Sequence, residues 1–455
     1  MAQQNPKSIA VIGGGLTGLT AAWRLHTRGH RVRLFEASSR LGGAVGSEPI
    51  DGWLVEAGPN SLQVNSPDVA AVLDELGLGS QKLAASPAAK NRYVVRDGEL
   101  RAMPLSSPAL LGSRLFSTSA KLRILAEIFT RRRTRTDDPS LATFVREHFG
   151  QEFVDYALDP LVSGIYAGDP AKLSARHAFP RLLEFERTYG SLLRAQVTTV
   201  RERRKRGEPP SQLISFAGGL QTLTDTLAAA LPPGAIQLRA KVNRLQPGPP
   251  WWLAWQQDDM AYSEKADAII LAVPAATLAS LRVGNEHPLA TLAGIEHSPV
   301  ASLFLGFHHN DVAHPLDGFG MLVPEREQRL PLGVIFSSTL FPGRAPDNHI
   351  AITVMAGGAR RPALARLDPE TLLASVLPDL RSLLNVHGDP VFMRHTFWPR
   401  AIPQYTLGYD RFLDAMAATE KKFPGLSIGG HVRDGIALGA CLTSGLRLAE
   451  CAAKA

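Results

Sequence analysis

Cysteine is almost missing from this chain: 455 residues hold two, Cys441 and Cys451. Two thiols cannot build a disulfide framework, and with no Cys-x-x-Cys pair and no histidine-rich tract the sequence offers no metal-ligand spacing, so no metal is expected. A reducing, cytoplasmic setting is the expectation that goes with this. Long apolar runs are missing too. No window reaches the ~18 uncharged residues that a spanning helix needs, and the N-terminus enters Ile9-Ala10-Val11-Ile12 without an export-signal pattern. If a membrane matters, the protein is expected to lie on it, and the location that goes with a cytoplasmic protein is the cytoplasmic face of the inner membrane. Charge of one sign is only mildly in excess: 49 Lys and Arg against 42 Asp and Glu give +7. That does not call for nucleic acid as a partner, and it suits an anionic ligand or an anionic membrane surface. Repeats and low-complexity tracts are absent. What is present, 45% apolar and 20% charged residues with 40 Gly and 33 Pro spread along the chain, excludes disorder and fibre. The length predicts two or three domains.

Ile9 to Ile12 reads as a strand covered on both faces, and it runs into Gly13-Gly14-Gly15-Leu16-Thr17-Gly18. Leu16, Leu19, Ala22, Trp23 and Leu25 then recur at helical spacing up to Gly29, and Val32 to Phe35 reads as a second strand ending at Glu36. This is a βαβ unit with G-x-G-x-x-G at the turn. Gly13 serves the tight turn, Gly15 allows close approach of a pyrophosphate, and Gly18 lets helix and strand pack. The helix N-terminus supplies unpaired N–H groups to the phosphates. Glu36 stands where a carboxylate reaches a ribose hydroxyl and repels a 2′-phosphate, so FAD or NAD is expected rather than NADP.

The next segment separates FAD from NAD. Together with the glycine fingerprint, Arg40-Leu41-Gly42-Gly43-Ala44 resembles the motif of the flavin-dependent amine oxidase and desaturase superfamily, with Ala44 where that family usually has Arg or Lys. Val55 to Ser61 resembles the family segment that passes the flavin ring. The resemblance implies FAD contacts from Gly13, Gly14, Gly15, Leu16, Thr17 and Gly18, from Glu36 and Ala37, and from Arg40, Gly42 and Gly43. It implies further contacts from Gly58, Pro59, Asn60 and Ser61, from Val242 beside the adenine, from Trp398, and from Ile436, Ala437 and Leu438 at the opening of the last helix.

Further along, Asp68 to Leu78 has amphipathic helical spacing and Arg92 to Leu100 reads as a hairpin around Asp97-Gly98. Pro108 to His177 is helical in pattern, with basic runs at Arg131 to Arg135 and Arg201 to Arg206. Ile236 to Val242, Asp267 to Pro274 and Leu426 to Gly430 read as strands, and alternating segments fill about 300 to 400. The expected fold class is α/β with α+β parts. It comprises a Rossmann-like FAD-binding domain of the amine oxidase type (1–85, 211–290 and 395–455), a substrate-binding β-sheet domain (86–105 and 291–394), and a mainly helical, membrane-associating domain (106–210).

Ser163 to Pro170 with Leu173-Ser174, Asp317 to Pro324, Ile335 to Ser338, Gly357 to Arg360 and Trp398 to Tyr405 resemble, in that order, the oxygen-dependent protoporphyrinogen oxidase family, which includes coproporphyrinogen III oxidases. The resemblance spans almost the whole chain. It implies FAD-dependent removal of six electrons from a porphyrinogen, with molecular oxygen as acceptor and hydrogen peroxide released. Such chemistry is centred on the cofactor, so no catalytic side chain is expected, and none is evident among 13 scattered histidines. The macrocycle calls for an apolar slot with a cation at its rim. By motif, Arg92 would pair with a propionate, Leu322 and Ile335 would clamp a pyrrole, Met355 would line the slot, and the Gly164 carbonyl would orient the ring system. Protoporphyrinogen IX is the expected substrate and coproporphyrinogen III the alternative. A homodimer is the expected assembly. A flavin amine oxidase or desaturase and a non-catalytic flavin scaffold are the rival readings.

Overall fold

The computed structural model describes residues 5–207 and 210–455. Ile9 to Ile12 are apolar toward both sides, and the strand Ser8–Ile12 accordingly lies in the middle of a five-stranded parallel sheet. Its spatial order is Ile236–Gln237, Arg31–Phe35, Ser8–Ile12, Ala268–Leu271 and Leu426–Ile428. Helix Leu16–Thr27 covers one face and the tail helix Leu438–Lys454 packs beside it. The two helices approach closely because Gly445 has no side chain: a Cβ there would stand 2.6 Å from the Thr17 carbonyl oxygen. Leu19, Leu25, Leu34, Ile270 and Leu448 share the buried cluster beneath them.

The segment expected as one strand from Ile236 to Val242 is two. Arg239 takes a left-handed conformation, φ +56°, and breaks the run. The second piece, Lys241–Gln246, leaves the parallel sheet for a separate one with Met260–Ala266, Trp251–Gln257 and Arg282–Val283. Periodicity could not see this break, because Leu238 and Ala240 continue the alternation through it.

A seven-stranded sheet forms the second layer, in the order Phe392–Pro403, His297–His308, His349–Gly357, Pro331–Ile335, Gly318–Leu322, Asn91–Arg96 and Glu99–Ala102. The last two are the expected hairpin, with Asp97 and Gly98 both at positive φ in its turn. Strand Phe392–Pro403 crosses the expected boundary at 394/395 and stays in this sheet through Pro403. One face carries Ala301, Leu303, Leu305, Val334 and Val354 under helix Pro369–Leu384. The opposite face looks toward helix Asp159–Tyr166.

The region between residues 107 and 205 is helical. Ser117, Ser140 and Ser191 each cap a helix N-terminus by accepting the backbone N–H three residues on. At its centre Glu127, His148 and Glu186 are almost wholly buried, with side chains 0%, 2% and 2% exposed. Glu127 accepts from His148 Nδ1 at 2.8 Å, from Ser191 Oγ at 2.7 Å and from the backbone N–H groups of Leu192 and Leu193. Arg135 grips Glu186 through Nε and Nη2. Burial by itself would raise the Glu127 carboxyl, but these donors outweigh it and hold the group below its usual range. No described helix is long and apolar enough to cross a membrane.

A carboxyl with a lowered folded-state pKa contributes stability above its unfolded value, 4.5, and loses it as pH falls through the folded value. Glu127→Gln is expected to cost about 3 kcal/mol at neutral pH. In denaturant unfolding at stepped pH, the gap between wild type and variant should hold down to pH 4.5 and close below it.

Candidate cofactor and substrate site

The glycine turn between Ile12 and Leu16 is built from positions where side chains do not fit. Gly13 has φ +109°, and a Cβ on it would meet the Ala272 carbonyl oxygen at 2.3 Å. A Cβ on Gly18 would stand 1.9 Å from the Gly13 oxygen. Gly15 is different: its backbone is ordinary, φ −75° and ψ 177°, and nothing lies within 4 Å of where its Cβ would be. It is also the N-cap of helix Leu16–Thr27, with no side chain capping it. Open space over an uncapped helix end is what a pyrophosphate requires.

The neighbouring elements close in on the same turn. Gly42 N donates to Gly14 O at 2.9 Å, and Gly43 lies against Gly15. Arg40 is exposed and braces this loop, donating to the carbonyls of Leu41 at 3.1 Å, Val45 at 2.9 Å and Gly43 at 2.5 Å. Its Nε and one Nη2 proton stay free for an anion. Glu36 accepts from Gly14 N at 2.7 Å and Ser38 N at 2.8 Å and keeps lone pairs for a ribose hydroxyl; Ala37 beside it is exposed. Val242 lies outside the parallel sheet but comes two residues after Ala240, whose N–H binds the Glu36 carbonyl. Gly58 lets two motif segments touch, since a Cβ there would meet the Ala44 oxygen at 2.3 Å. Pro59, Asn60 and Ser61 continue half-buried, and Asn60 Nδ2 donates to the Gly58 carbonyl. Trp398 Nε1 donates to Ala57 O at 2.8 Å. Ile436, Ala437 and Leu438 open the tail helix, whose N-cap Ala437 is again without a side-chain cap. Two helix N-termini and the Arg40 loop therefore converge, and this set of donors fits a dinucleotide with a ring system beside it.

Sequence reasoning missed what holds the flavin-motif strand in place. Glu56, fully buried, accepts from Ser47 Oγ at 2.6 Å and Leu220 N at 2.9 Å and faces Arg344 at 3.5 Å. Burial pushes the Glu56 carboxyl up and the Arg344 guanidinium down, and each charge opposes the other's shift. The signal was within reach, as Glu56 sits inside the Val55 to Ser61 motif. Tyr405 was also missed as a pin: its hydroxyl donates to the His431 carbonyl and accepts from Gly435 N, while Tyr409 holds the Val432 carbonyl at 2.7 Å. These bonds shape the loop into the tail helix. Cys441 beside it is pushed up to about 11 by burial and stays a thiol, which agrees with its lacking a covalent-flavin setting.

The family described as flavin containing amine oxidoreductase matches residues 16–453. The chain belongs to this family. It is an oxidoreductase, and FAD is its cofactor. The chain is 33% identical to the mitochondrial protoporphyrinogen oxidase of Nicotiana tabacum over 98% of its own length and 94% of the relative's. It is 26% identical to the coproporphyrinogen III oxidase of Bacillus subtilis (strain 168), over 96% of each. A solved structure from Exiguobacterium sp. 255-15 superposes with a TM-score of 0.81 at 23% identity, covering 98% of both chains.

The five expected substrate residues also come together. Leu322 pairs with Gly333, Gly333 with Met355 and Met355 with Ser302, so they form one row across the seven-stranded sheet. Ile335 lies two residues from Gly333 and Arg92 two from Val94, the parallel partner of Leu322, and the period of two places both on that face. Trp398 shares it through Val300. Gly164 faces Leu322 from the opposing helix: a Cβ would stand 2.6 Å from Leu322 Cδ2. Leu322, Ile335 and Met355 are half-buried, while Leu161 and Ile165 on that helix are exposed. Arg92 is exposed too and lies over the Phe319 ring.

Gly15→Val should fold as well as wild type, within about 0.5 kcal/mol, yet be isolated without yellow flavin absorbance. Gly18→Ala should instead lose about 1–3 kcal/mol of stability. Absorbance spectra and thermal melts of both proteins check the contrast.

Proposed function

We propose that this chain oxidises a porphyrinogen, protoporphyrinogen IX to protoporphyrin IX, removing six electrons in three two-electron rounds. Each round passes two electrons and two protons to one molecule of oxygen, giving one hydrogen peroxide. Bound FAD supplies the hydride acceptor. The chain's own residues bind the macrocycle, orient it and exclude water. The observation that carries this reading is the single apolar sheet face bearing Leu322, Ile335 and Met355, joined through Trp398 to the cofactor loops and rimmed by Arg92. A flat, greasy face with the Arg92 cation at its margin suits a broad apolar ring bearing carboxylates. Coproporphyrinogen III carries two further propionates in place of vinyls and would call for more cations at that margin. The greater identity to protoporphyrinogen oxidases also supports the first substrate.

Supplied with reduced protoporphyrinogen and oxygen, the purified protein should generate porphyrin fluorescence and peroxide, and its flavin should bleach anaerobically with porphyrinogen and not with amines. Initial rates on both porphyrinogens decide between them. Arg92→Ala should raise KM on the order of fivefold to tenfold with little change in kcat. A protein whose flavin never bleaches with either porphyrinogen would be the non-catalytic scaffold.

We further propose that the helical region rests on an anionic membrane surface from the cytoplasmic side. Supporting this are Leu111, Leu122 and Phe129, which expose 61%, 64% and 82% of their surface, and an open groove of about 570 Å³ lined by Arg131, Arg132 and Arg194, which begins two residues beyond Phe129. Apolar anchors beside arginines match interfacial binding. The protein should float with anionic vesicles and not with neutral ones, and Leu122→Asp with Phe129→Asp should abolish flotation while leaving FAD in place.

A further inference from the structure

Asp138, His177 and Asp410 are distant in sequence and meet where the helical region rests on the cofactor domain. Asp138 precedes helix Leu141–Phe149, His177 belongs to the short helix Ala175–Ala178, and Asp410 is the first residue of helix Asp410–Lys422. One ligand atom from each lies within 4.8 Å of the others. His177 Nε2 is 3.1 Å from Asp410 Oδ1. Ligand atoms about 2.1 Å from a tetrahedral zinc ion stand roughly 3.4 Å apart, so this pair is already spaced as ligands, and the half-exposed Asp410 side chain can turn toward the third.

Asp138 Oδ2 is buried and makes no hydrogen bond, and His177 Nε2, also buried, meets Asp410 Oδ1 without hydrogen-bond alignment. A buried carboxylate oxygen with nothing to accept from is costly. The other Asp138 oxygen accepts from Ser174 Oγ at 2.8 Å, the kind of bond that aims a ligand, and the His177 ring packs against Tyr409. Arg176 approaches only the outer oxygen of Asp410, at 3.9 Å, and spends a donor on the Asp137 carbonyl. A divalent ion would balance the two carboxylates.

We propose that Asp138, His177 and Asp410 form a divalent-cation site of the zinc class, clipping the helical region to the cofactor domain. The imidazole favours zinc over magnesium or calcium. The clip acts on the loop that matters for the cofactor. Ser174 N donates to the Tyr405 carbonyl at 2.8 Å and Leu173 bridges to Thr406, and Tyr405 in turn holds the loop into the tail helix. Metal occupancy should therefore raise the melting temperature and slow FAD release.

The test uses FAD-loaded protein stripped with a chelator, then titrated with zinc chloride or magnesium chloride and assayed for retained metal after gel filtration. One zinc per chain is expected, with no magnesium retained. Asp410→Asn and Asp138→Asn should each bind FAD normally and weaken zinc at least about tenfold, the smallest loss that even a supporting residue causes. The proposal is overturned if stoichiometric zinc is not retained, or if both variants bind it like wild type. It is overturned equally if uptake disappears in His349→Ala, since His308 and His349 stack as an unrelated pair with rings 4.7 Å apart.

Discussion

Everything in this molecule is arranged around unpaired backbone N–H groups at the start of one helix. Those of Leu16–Thr27 have no side-chain cap, and an uncapped helix end held inside a folded protein must be satisfied by something outside the chain. The turn can present them only because Gly13 and Gly18 let strand and helix approach to distances that any Cβ would forbid. The tail helix, arriving from the other end of the sequence, packs on the same helix through Gly445 and brings a second uncapped terminus. Cofactor binding and the closure of the chain on itself are thus one packing event.

The second layer depends on that event. Trp398 and the Gly58 segment tie the seven-stranded sheet to the cofactor loops, so the sheet face is positioned by the same elements that hold FAD. One side of the sheet is sealed by helix Pro369–Leu384; the other keeps half-buried apolar residues facing a helix with two exposed ones. Apolar surface left open in this way is costly unless a ligand covers it.

Buried charge does the remaining positioning. The Glu56–Arg344 pair lies beneath the flavin-motif strand, and the Glu127–His148–Glu186 cluster organises the helices. Pairs of this kind are weak sources of net stability but strongly resist rearrangement, because moving one partner strands the other.

The cofactor half was legible in the chain itself, since its signals are local. A glycine turn between an apolar run and a helix, an acid at the end of the next strand, and a hairpin turn at Asp97-Gly98 depend on residues close in sequence, where backbone sterics alone decide. Three things could not be read that way. The break at Arg239 hides inside an unbroken alternation, the row joining Leu322 to Met355 exists only through strand register, and Asp138, His177 and Asp410 come from three separate segments. Each is set by which distant surfaces bury one another, and burial is a property of the assembled chain that no local spacing encodes.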